Sequence, residues 1–351
     1  MPVDNNINLF TGKDDQMSIT IKDVAKKAGV SHTTVSMVIH DDKRITPETK
    51  KKVQAIIAEL KYHPNYLARG LVQGKTNTIA IMATFFSSYF EMNFLKGIEL
   101  QSGESEYQIN QYSTRGKAGV KEQVLEQILY GKRADALISL SIKPDKAMLE
   151  EFRKNGLPII LIEEEMKGAH TLKTDNYKGG FLATEYLLKK GRKNIGIIVG
   201  EINGDEVGTS PAERLKGYRR ALEEFNVEFD SDYVYEVKDF DYKDGKEGLA
   251  KFLSTAKKID AVFCAAGDYT AMGLLEEARK RGLKIPRDLS VVGYDDLEMS
   301  AVVNPPLTTI KQSITELGKE AFKIAVDAAN GKLKEPKNIV LQPELIIRES
   351  A

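Results

Sequence analysis

Two short amphipathic segments meet at Gly29, and this junction limits what the start of the chain can form. From Thr20 onward, apolar residues recur at helical spacing, at Ile21, Val24, Ala25 and Ala28. Glycine is a common helix stop, and Ser31 is a typical N-cap for a second helix, which we predict over residues 32–39. Two short helices joined by a glycine-containing turn have the form of a helix-turn-helix, in which the second helix is free to enter a DNA major groove.

A third helix is predicted from Pro47, with Thr46 as its N-cap and a basic outer face at Lys50, Lys51 and Lys52. Residues 18–77 hold eleven Lys/Arg and five Asp/Glu, a local surplus of six positive charges in a chain of net charge zero. A basic run is often only a solvated face. Here the asymmetry lies beside a helix-turn-helix, so it favours contact with phosphates.

The motifs IKDVAKKAGVS, TVS, ITPETKKKV and YHPNYLARGL closely resemble the DNA-binding domain of the lactose-repressor/galactose-repressor family of bacterial transcription regulators. The resemblance implies that residues 65–71 become a hinge helix on the operator, where Leu71 wedges into the minor groove. The alternative is that Leu71 packs on its own domain. The candidate DNA-contacting residues are Thr20, Ser31, His32, Thr33, Thr34, Ser36, Met37, Asn65, Ala68, Arg69 and Leu71.

Met37 departs from the family pattern, in which an Arg or sometimes a His usually stands at this position. A thioether donates no hydrogen bond, so Met37 either presses against a thymine methyl group or only covers the end of the helix. We therefore expect His32 and Thr33 to read bases, and Leu71 to favour a base step that unstacks easily.

Beyond a predicted linker near residue 77, short apolar runs alternate with amphipathic helices in two series. The predicted strands are 78–83, 107–111, 134–140, 157–162, 195–199, 233–237, 260–264 and 289–292. The predicted helices are 91–103, 118–131, 145–155, 177–190, 211–225, 244–255 and 269–281. Such alternation predicts an α/β core of two doubly wound lobes with one cleft between them.

The resemblance extends over this core, so that it covers nearly all of the chain from about residue 18. The motifs that carry it are PAERLKGYRRAL, LSVVGYDDLEMS and NPPLTTIKQSITELG. It implies a core like that of periplasmic sugar-binding proteins, which close on a ligand by hinge motion.

The predicted division of the chain has four parts. They are a disordered extension at 1–17, a helix-turn-helix domain at 18–64, a hinge helix and linker at 65–77, and a two-lobed effector-binding and dimerisation core at 78–351. The resemblance assigns lobe 1 to about 78–173 and 307–333, and lobe 2 to about 174–306 and 334–351.

Ligands of doubly wound sheets bind beyond the carboxyl ends of strands, where Phe85, Phe86, Glu163 and Asp295 are predicted to lie. By the resemblance, Arg214 and Asp295 match positions that contact the effector. An ion pair is the alternative role for Arg214, and a turn cap is the alternative for Asp295.

Phe240 matches a position where sugar-binding members place an aromatic ring against the ligand; the alternative is a core phenylalanine. Glu163 stands where many relatives have Asp, and an exposed acidic turn is its alternative. Gly267 replaces a commonly ligand-contacting Asn, whereas Asp268 is retained as a candidate effector contact. The lost amide and the Phe85-Phe86 pair favour a more apolar or aromatic effector than a standard sugar pocket takes.

Catalysis, metal binding and cofactors are not expected. His32, His40 and His63 fall in the DNA-binding segment and His170 is predicted to stand alone in a loop, so no pair has metal-ligand spacing. The single Cys264 lies in an apolar run, which predicts a buried structural thiol. No run is long enough for a membrane span and no export signal precedes the motifs, so a cytoplasmic protein is expected.

We therefore predict a sequence-specific transcriptional repressor that binds double-stranded DNA as a homodimer on an inverted-repeat operator. A sugar or related metabolite, bound between the core lobes, is expected to switch operator affinity. The alternative is a regulator switched by a protein corepressor of the catabolite-control type. A pure solute-binding protein is disfavoured by the N-terminal domain and the lack of an export signal.

Overall fold

The structure is a computed structural model that describes residues 19–62, 75–103, 105–202, 208–255 and 258–351. The chain divides into two compact units, Met1–Gly74 and Lys75–Ala351. The predictions for residues 1–17 and for Asn65, Ala68, Arg69 and Leu71 lie outside the described residues.

The described part of the first unit consists of helices α1 (Ile21–Ala28), α2 (His32–Ile39) and α3 (Pro47–Glu59). Thr20 and Asp23 form a capping box at the start of α1, and Gly29 ends that helix with a φ of 65°. Ser31 caps α2 by accepting a hydrogen bond from the Thr34 N–H at 3.0 Å. The predicted starts of all three helices are confirmed. Their shared core is formed by Val24, Ala25, Ala28, Val35, Val38, Val53 and Tyr62.

The second unit alternates strands and helices, as the two apolar series predict. Its strands are β1 (Thr78–Ala83), β2 (Gln108–Ser113), β3 (Ala136–Leu140), β4 (Ile159–Ile162), β5 (His170–Thr174), β6 (Ile195–Gly200), β7 (Val234–Val237), β8 (Ala261–Cys264), β9 (Ser290–Asp295), β10 (Thr308–Lys311), β11 (Asn338–Leu341) and β12 (Glu344–Ile346). Its α-helices are α4 (Tyr89–Ser102), α5 (Val120–Leu129), α6 (Lys146–Lys154), α7 (Asn176–Lys189), α8 (Ser210–Glu224), α9 (Tyr242–Ser254), α10 (Asp268–Lys280) and α11 (Ile314–Ala329). Short 3-10 helices lie at Ser231–Tyr233 and Glu298–Ala301.

These strands form two sheets with the same strand order. Lobe 1 has the strand order β11-β5-β4-β3-β1-β2, and lobe 2 has the order β12-β10-β9-β8-β6-β7. Neighbouring strands are parallel except for the β10–β12 pair, which is antiparallel. The predicted fold class is confirmed: a small helical unit is followed in the chain by two doubly wound lobes.

The predicted lobe assignment is wrong for two strands. β10 was expected in lobe 1 but pairs with β9 in lobe 2, and β11 was expected in lobe 2 but pairs with β5 in lobe 1. The chain therefore crosses between lobes after β5, between β10 and α11, and between β11 and β12. A short apolar strand looks the same from sequence whichever sheet it joins, so only the pairing settles its place.

Two single-residue predictions have different outcomes. His170 does not stand in a loop: it opens β5, and its Nδ1 accepts a hydrogen bond from the Lys337 N–H at 3.1 Å. Cys264 is fully buried, as predicted, and burial raises the pKa of its thiol. No helix in the described parts of the chain is both long and apolar enough to cross a membrane.

Candidate functional site

The exposed face of α2 carries the predicted base-reading residues. His32 and Thr33 are exposed, whereas Thr34, Ser36 and Met37 are half-buried. Thr34 is tied to the Ser31 cap, so the first turn of α2 presents a fixed set of hydroxyl and imidazole groups.

Several basic side chains of this unit are engaged internally. The Nζ atom of Lys27 lies 2.6 Å from Glu59, that of Lys50 lies 2.6 Å from Asp41, and Arg44 pairs with Asp42 at 2.7 Å. Other basic side chains are exposed and have no ion-pair partner within the described residues: Lys22, Lys26, Lys43, Lys51, Lys52 and Lys61. These lysines keep their full charge for an anionic partner.

In the second unit, Glu163 follows β4 and Asp295 ends β9, so both lie at the carboxyl ends of strands as predicted, whereas Phe86 packs against the core of lobe 1. Phe85 is 53% exposed and Phe240 is 41% exposed, so the alternative of a core phenylalanine is wrong for Phe240. A Cβ on Gly200 would lie 2.5 Å from the Phe240 Cζ, which places this ring directly on the end of β6.

Glu163 is a buried junction between the lobes, which excludes its alternative role in an exposed acidic turn. Its carboxylate accepts hydrogen bonds from the Thr174 N–H (2.8 Å), the Asn176 Nδ2 (2.6 Å) and the Ser210 Oγ (2.8 Å). Because β4 belongs to lobe 1 whereas Asn176 and Ser210 begin helices of lobe 2, Glu163 connects the two lobes.

Asn176 in turn positions Arg214. Its Oδ1 accepts hydrogen bonds from the Arg214 Nε at 2.8 Å and the Tyr294 hydroxyl at 3.2 Å. The Arg214 Nη1 donates to the Ala265 carbonyl at 2.7 Å, and the guanidinium stacks on the Tyr294 ring at 3.7 Å from its centroid. These contacts fix both the plane of the guanidinium and the direction in which it points. Arg214 has no carboxylate partner among the described residues, so the predicted alternative of an ion pair is excluded.

Asp295 ends β9 and is half-buried at the cleft. Its Oδ1 accepts a hydrogen bond from the Gln312 Nε2 at 2.6 Å, and its φ is 115°. Burial raises the pKa of Asp295 to about 6, while the positive charge of Arg214 acts in the opposite direction. No backbone group is capped by this carboxylate among the described residues, so the turn-cap alternative is not supported.

The glycine at 267 has a local structural reason. Its φ is 121°, and a Cβ there would lie 2.9 Å from the Asp295 Oδ2. A side chain such as Asn would be strained at this φ and would crowd Asp295. Gly267, the residue that departs from the family pattern, therefore leaves space for the Asp295 carboxylate.

Asp268 has a structural role in place of the predicted ligand contact. Its side chain is fully buried and accepts hydrogen bonds from the Thr309 Oγ1 (2.5 Å), the Ser300 Oγ (2.6 Å) and the Leu297 N–H (2.9 Å). Burial raises its pKa to about 7, and the hydroxyl donors act against that shift. Both carboxylate oxygens are thus used to hold the segment after β9 against α10 and β10.

Sequence reasoning missed Asn176, Tyr294 and Gln312, which orient the charged groups of the cleft. Asn176 begins α7 just after β5, a strand that the apolar runs did not predict. Tyr294 lies beyond the predicted strand 289–292, because β9 extends to Asp295. Gln312 lies at the crossing between β10 and α11, which sequence patterns did not locate.

Positive φ angles occur in this region at Glu163, Phe240, Asp295 and Asp296, four of the eleven non-glycine residues with a positive φ among those described. Non-glycine residues adopt this conformation at a cost, and such residues often cluster at binding sites. Within the described ranges, no group of three or more His, Cys, Asp or Glu side chains is arranged to hold a metal ion.

A three-helix unit with a helix-turn-helix, followed by two doubly wound lobes around a polar cleft, defines a DNA-binding regulator with a ligand-binding core. A sequence profile of the bacterial regulatory proteins of the lacI family matches residues 20–65, and a periplasmic-binding-protein-like domain profile matches residues 184–351. The chain is 35% identical over 339 residues to the HTH-type transcriptional regulator DegA of Bacillus subtilis (strain 168), covering 95% of this chain and 98% of the relative. This chain belongs to the lacI family.

Solved structures agree with this assignment. The complex of the transcriptional regulator CelR with cellobiose is 29% identical, has a TM-score of 0.69, and is matched over 95% of this chain and all (100%) of that one. The lac repressor dimer bound to operator and the anti-inducer ONPF has a TM-score of 0.84 at 24% identity, over 95% of this chain and 98% of that one, which shows the shared fold. The chain is therefore a DNA-binding transcriptional regulator rather than an enzyme.

Proposed function

We propose that the protein is a repressor that binds an inverted-repeat operator as a homodimer and that a small molecule in the cleft changes its operator affinity. The exposed His32 and Thr33 on α2 support base contact, and the unpaired lysines around them support phosphate contact. One short recognition helix buries too little surface for tight specific binding, which favours two copies on one site.

The observation that carries the small-molecule proposal is the fixed guanidinium of Arg214. It is held by Asn176 and Ala265, and it forms no ion pair with a carboxylate among the described residues. Asp295 offers a carboxylate close enough for Arg214 to lower its pKa. Donors and acceptors fixed together in a cleft suit a hydroxylated ligand, and the cellobiose complex of a 29% identical regulator makes a sugar the first class to test.

Operator binding in the presence of fractionated cell extract tests the proposal. The operator is first obtained by randomised-site selection with the full chain, and affinity is then measured by fluorescence anisotropy. We expect the dialysable fraction to change operator affinity and the retained macromolecules to have no effect. Activity confined to the retained fraction would instead identify the alternative, a protein corepressor.

The Arg214→Ala variant tests whether the change in operator affinity depends on the cleft. Loss of a charged hydrogen bond should weaken the response by about 1.5–3 kcal/mol and leave operator affinity in effector-free buffer nearly unchanged. Arg220→Ala is the control, because Arg220 is exposed on the same helix and pairs with the surface residues Glu223 and Glu224. A normal response in the Arg214 variant would remove this residue from the site.

The homodimer is tested separately by sedimentation at micromolar concentration. We expect a dimer with the interface in the core lobes. A monomer that still binds the selected operator specifically would contradict this part of the proposal.

A further inference from the structure

One asparagine lies between the carboxylate that bridges the lobes and the guanidinium of the cleft. Asn176 is 5% exposed, and its Nδ2 donates to the Glu163 carboxylate at 2.6 Å. Its Oδ1 accepts a hydrogen bond from the Arg214 Nε at 2.8 Å. Glu163 follows β4 of lobe 1, whereas Asn176 and Arg214 lie on α7 and α8, which share the core of lobe 2. The amide therefore links a negative charge of one lobe to a positive charge of the other.

The orientation of this amide is fixed by its two charged neighbours. A carboxylate only accepts hydrogen bonds and a guanidinium only donates them, so Nδ2 must face Glu163 and Oδ1 must face Arg214. The Tyr294 hydroxyl also donates to Oδ1, at 3.2 Å. A rotation of the amide by 180° would set donor against donor and acceptor against acceptor. The orientation of Asn176, which Arg214 needs, is thus the one that Glu163 imposes from lobe 1.

The neutral amide also explains how the guanidinium can be fixed without being neutralised. A direct ion pair with Glu163 would cancel the charge that Arg214 can offer to a ligand. Asn176 instead separates the two charges, and each end of its dipole faces the charge that it stabilises. Both hydrogen bonds have a charged partner, which makes them roughly twice as strong as bonds between neutral groups.

Two further contacts join the lobes at the same place without passing through Asn176. The Glu164 Oε1 accepts a hydrogen bond from the Thr209 N–H at 3.0 Å. The Thr209 hydroxyl donates to the main-chain carbonyl of Glu163 at 3.1 Å. A variant of the Glu163 side chain therefore keeps both of these hydrogen bonds between the lobes.

From this geometry we infer that Asn176 is a positioning residue for the effector, which aims the Arg214 guanidinium when lobe 1 supplies the Glu163 carboxylate. The inference rests on the proposed function, in which Arg214 binds the effector. Glu163 then acts through Asn176, in contrast to its predicted role as an effector contact. Because the bond from Asn176 to Glu163 forms only while the lobes face each other, an effector held by Arg214 also favours that arrangement, as the reciprocity of linked equilibria requires.

An exchange of the two side chains tests the positioning role. Asn176→Asp sets two carboxylates against each other at the 2.6 Å contact, and Glu163→Gln removes the charge that orients the amide. We expect each single variant to reduce the effect of the dialysable fraction on operator affinity about tenfold, since each loses a charged hydrogen bond. In the double variant, the amide at position 163 can donate to the carboxylate at position 176, which still accepts from Arg214. Most of the effect on operator affinity should therefore return.

Glu165→Gln is the matched control and should respond as wild type, because Glu165 is exposed in the same segment and pairs with Lys173. Thermal melting identifies the folded variants, and Glu163→Gln, which keeps the shape of the side chain, decides the test if Asn176→Asp is not folded. A wild-type response in the folded single variants overturns the inference while the proposed function stands. A reduced response that the double variant does not recover also overturns it, because Glu163 would then act on the ligand directly. An inactive dialysable fraction overturns both.

Discussion

The two units of this protein differ in the sequence separation of the residues that hold them together. In the helical unit, each helix is fixed by its own caps, as Ser31 shows for α2, and the core joins residues from one short stretch of chain. In the core unit, a single carboxylate such as Asp268 joins segments up to 41 residues apart. The helical unit is therefore specified by local contacts, whereas the cleft exists only when distant segments are assembled. This difference gives three predictions, ordered by the size of the expected effect.

The largest effect is expected for Asp268→Ala. It leaves the Thr309 and Ser300 hydroxyls and the Leu297 N–H without their buried acceptor, which should lower the free energy of unfolding of the core by about 3–5 kcal/mol. Urea unfolding followed by circular dichroism measures it.

Asp145→Ala is the control for that experiment, because Asp145 also accepts a backbone N–H, from Met148, but at the exposed start of α6. Its loss should be about 1 kcal/mol. Equal losses in the two variants would show that the core does not depend on the long-range contacts of Asp268.

An intermediate effect is expected for Met37→Arg, in the helical unit. An arginine at this half-buried position of α2 should shift preference at one half-site position toward guanine by roughly 1–3 kcal/mol if it reaches the bidentate geometry. Randomised-site selection with wild type and variant measures the shift. If wild type already demands guanine there and the variant changes nothing, α2 does not lie in the groove as proposed.

The smallest effect concerns the pH dependence of stability. The pKa of Asp295 is about 6 in the folded protein, above its ordinary value of 3.8, so between these pH values the folded state holds a proton that the unfolded chain has lost. The contribution of Asp295 to the free energy of unfolding therefore falls as pH rises through this window and is constant above it.

Asp295→Asn should remove that decline, a change of about 1–2 kcal/mol for a carboxyl that keeps part of its hydration. Denaturant titrations of wild type and variant from pH 4 to 7 measure the difference. Parallel pH profiles would mean that burial does not perturb this carboxyl.

The same contrast explains what could be predicted from sequence. Caps, glycine stops and helical spacing act within a few residues, so the bounds of α2 were predicted correctly from His32 to Ile39. Most strands and helices of the core were also predicted, because they carry their own apolar pattern, but β5 (His170–Thr174) and α11 (Ile314–Ala329) were not in either predicted series.

Sequence could not show where distant elements meet. Asp268 was placed in the ligand site by the family resemblance, yet its hydrogen-bond donors come from elements after β9. Likewise Arg214 and the Ala265 carbonyl to which it donates are 51 residues apart in sequence, and only the assembled lobe brings them together. The hinge residue Leu71 lies outside the described residues, and its wedge role stays a prediction.

The third crossing of the chain between lobes has a consequence for biosynthesis. β11 and β12, only two residues apart, supply the outer strand beside β5 in one sheet and beside β10 in the other. Until this segment leaves the ribosome, β5 and β10 each lack one hydrogen-bonded neighbour, and unpaired strand edges are prone to pair with other chains. Both sheets of the core therefore gain their last strand at nearly the same moment, after almost all residues of the core have been synthesised. The helical unit, translated first, has by then had time to fold.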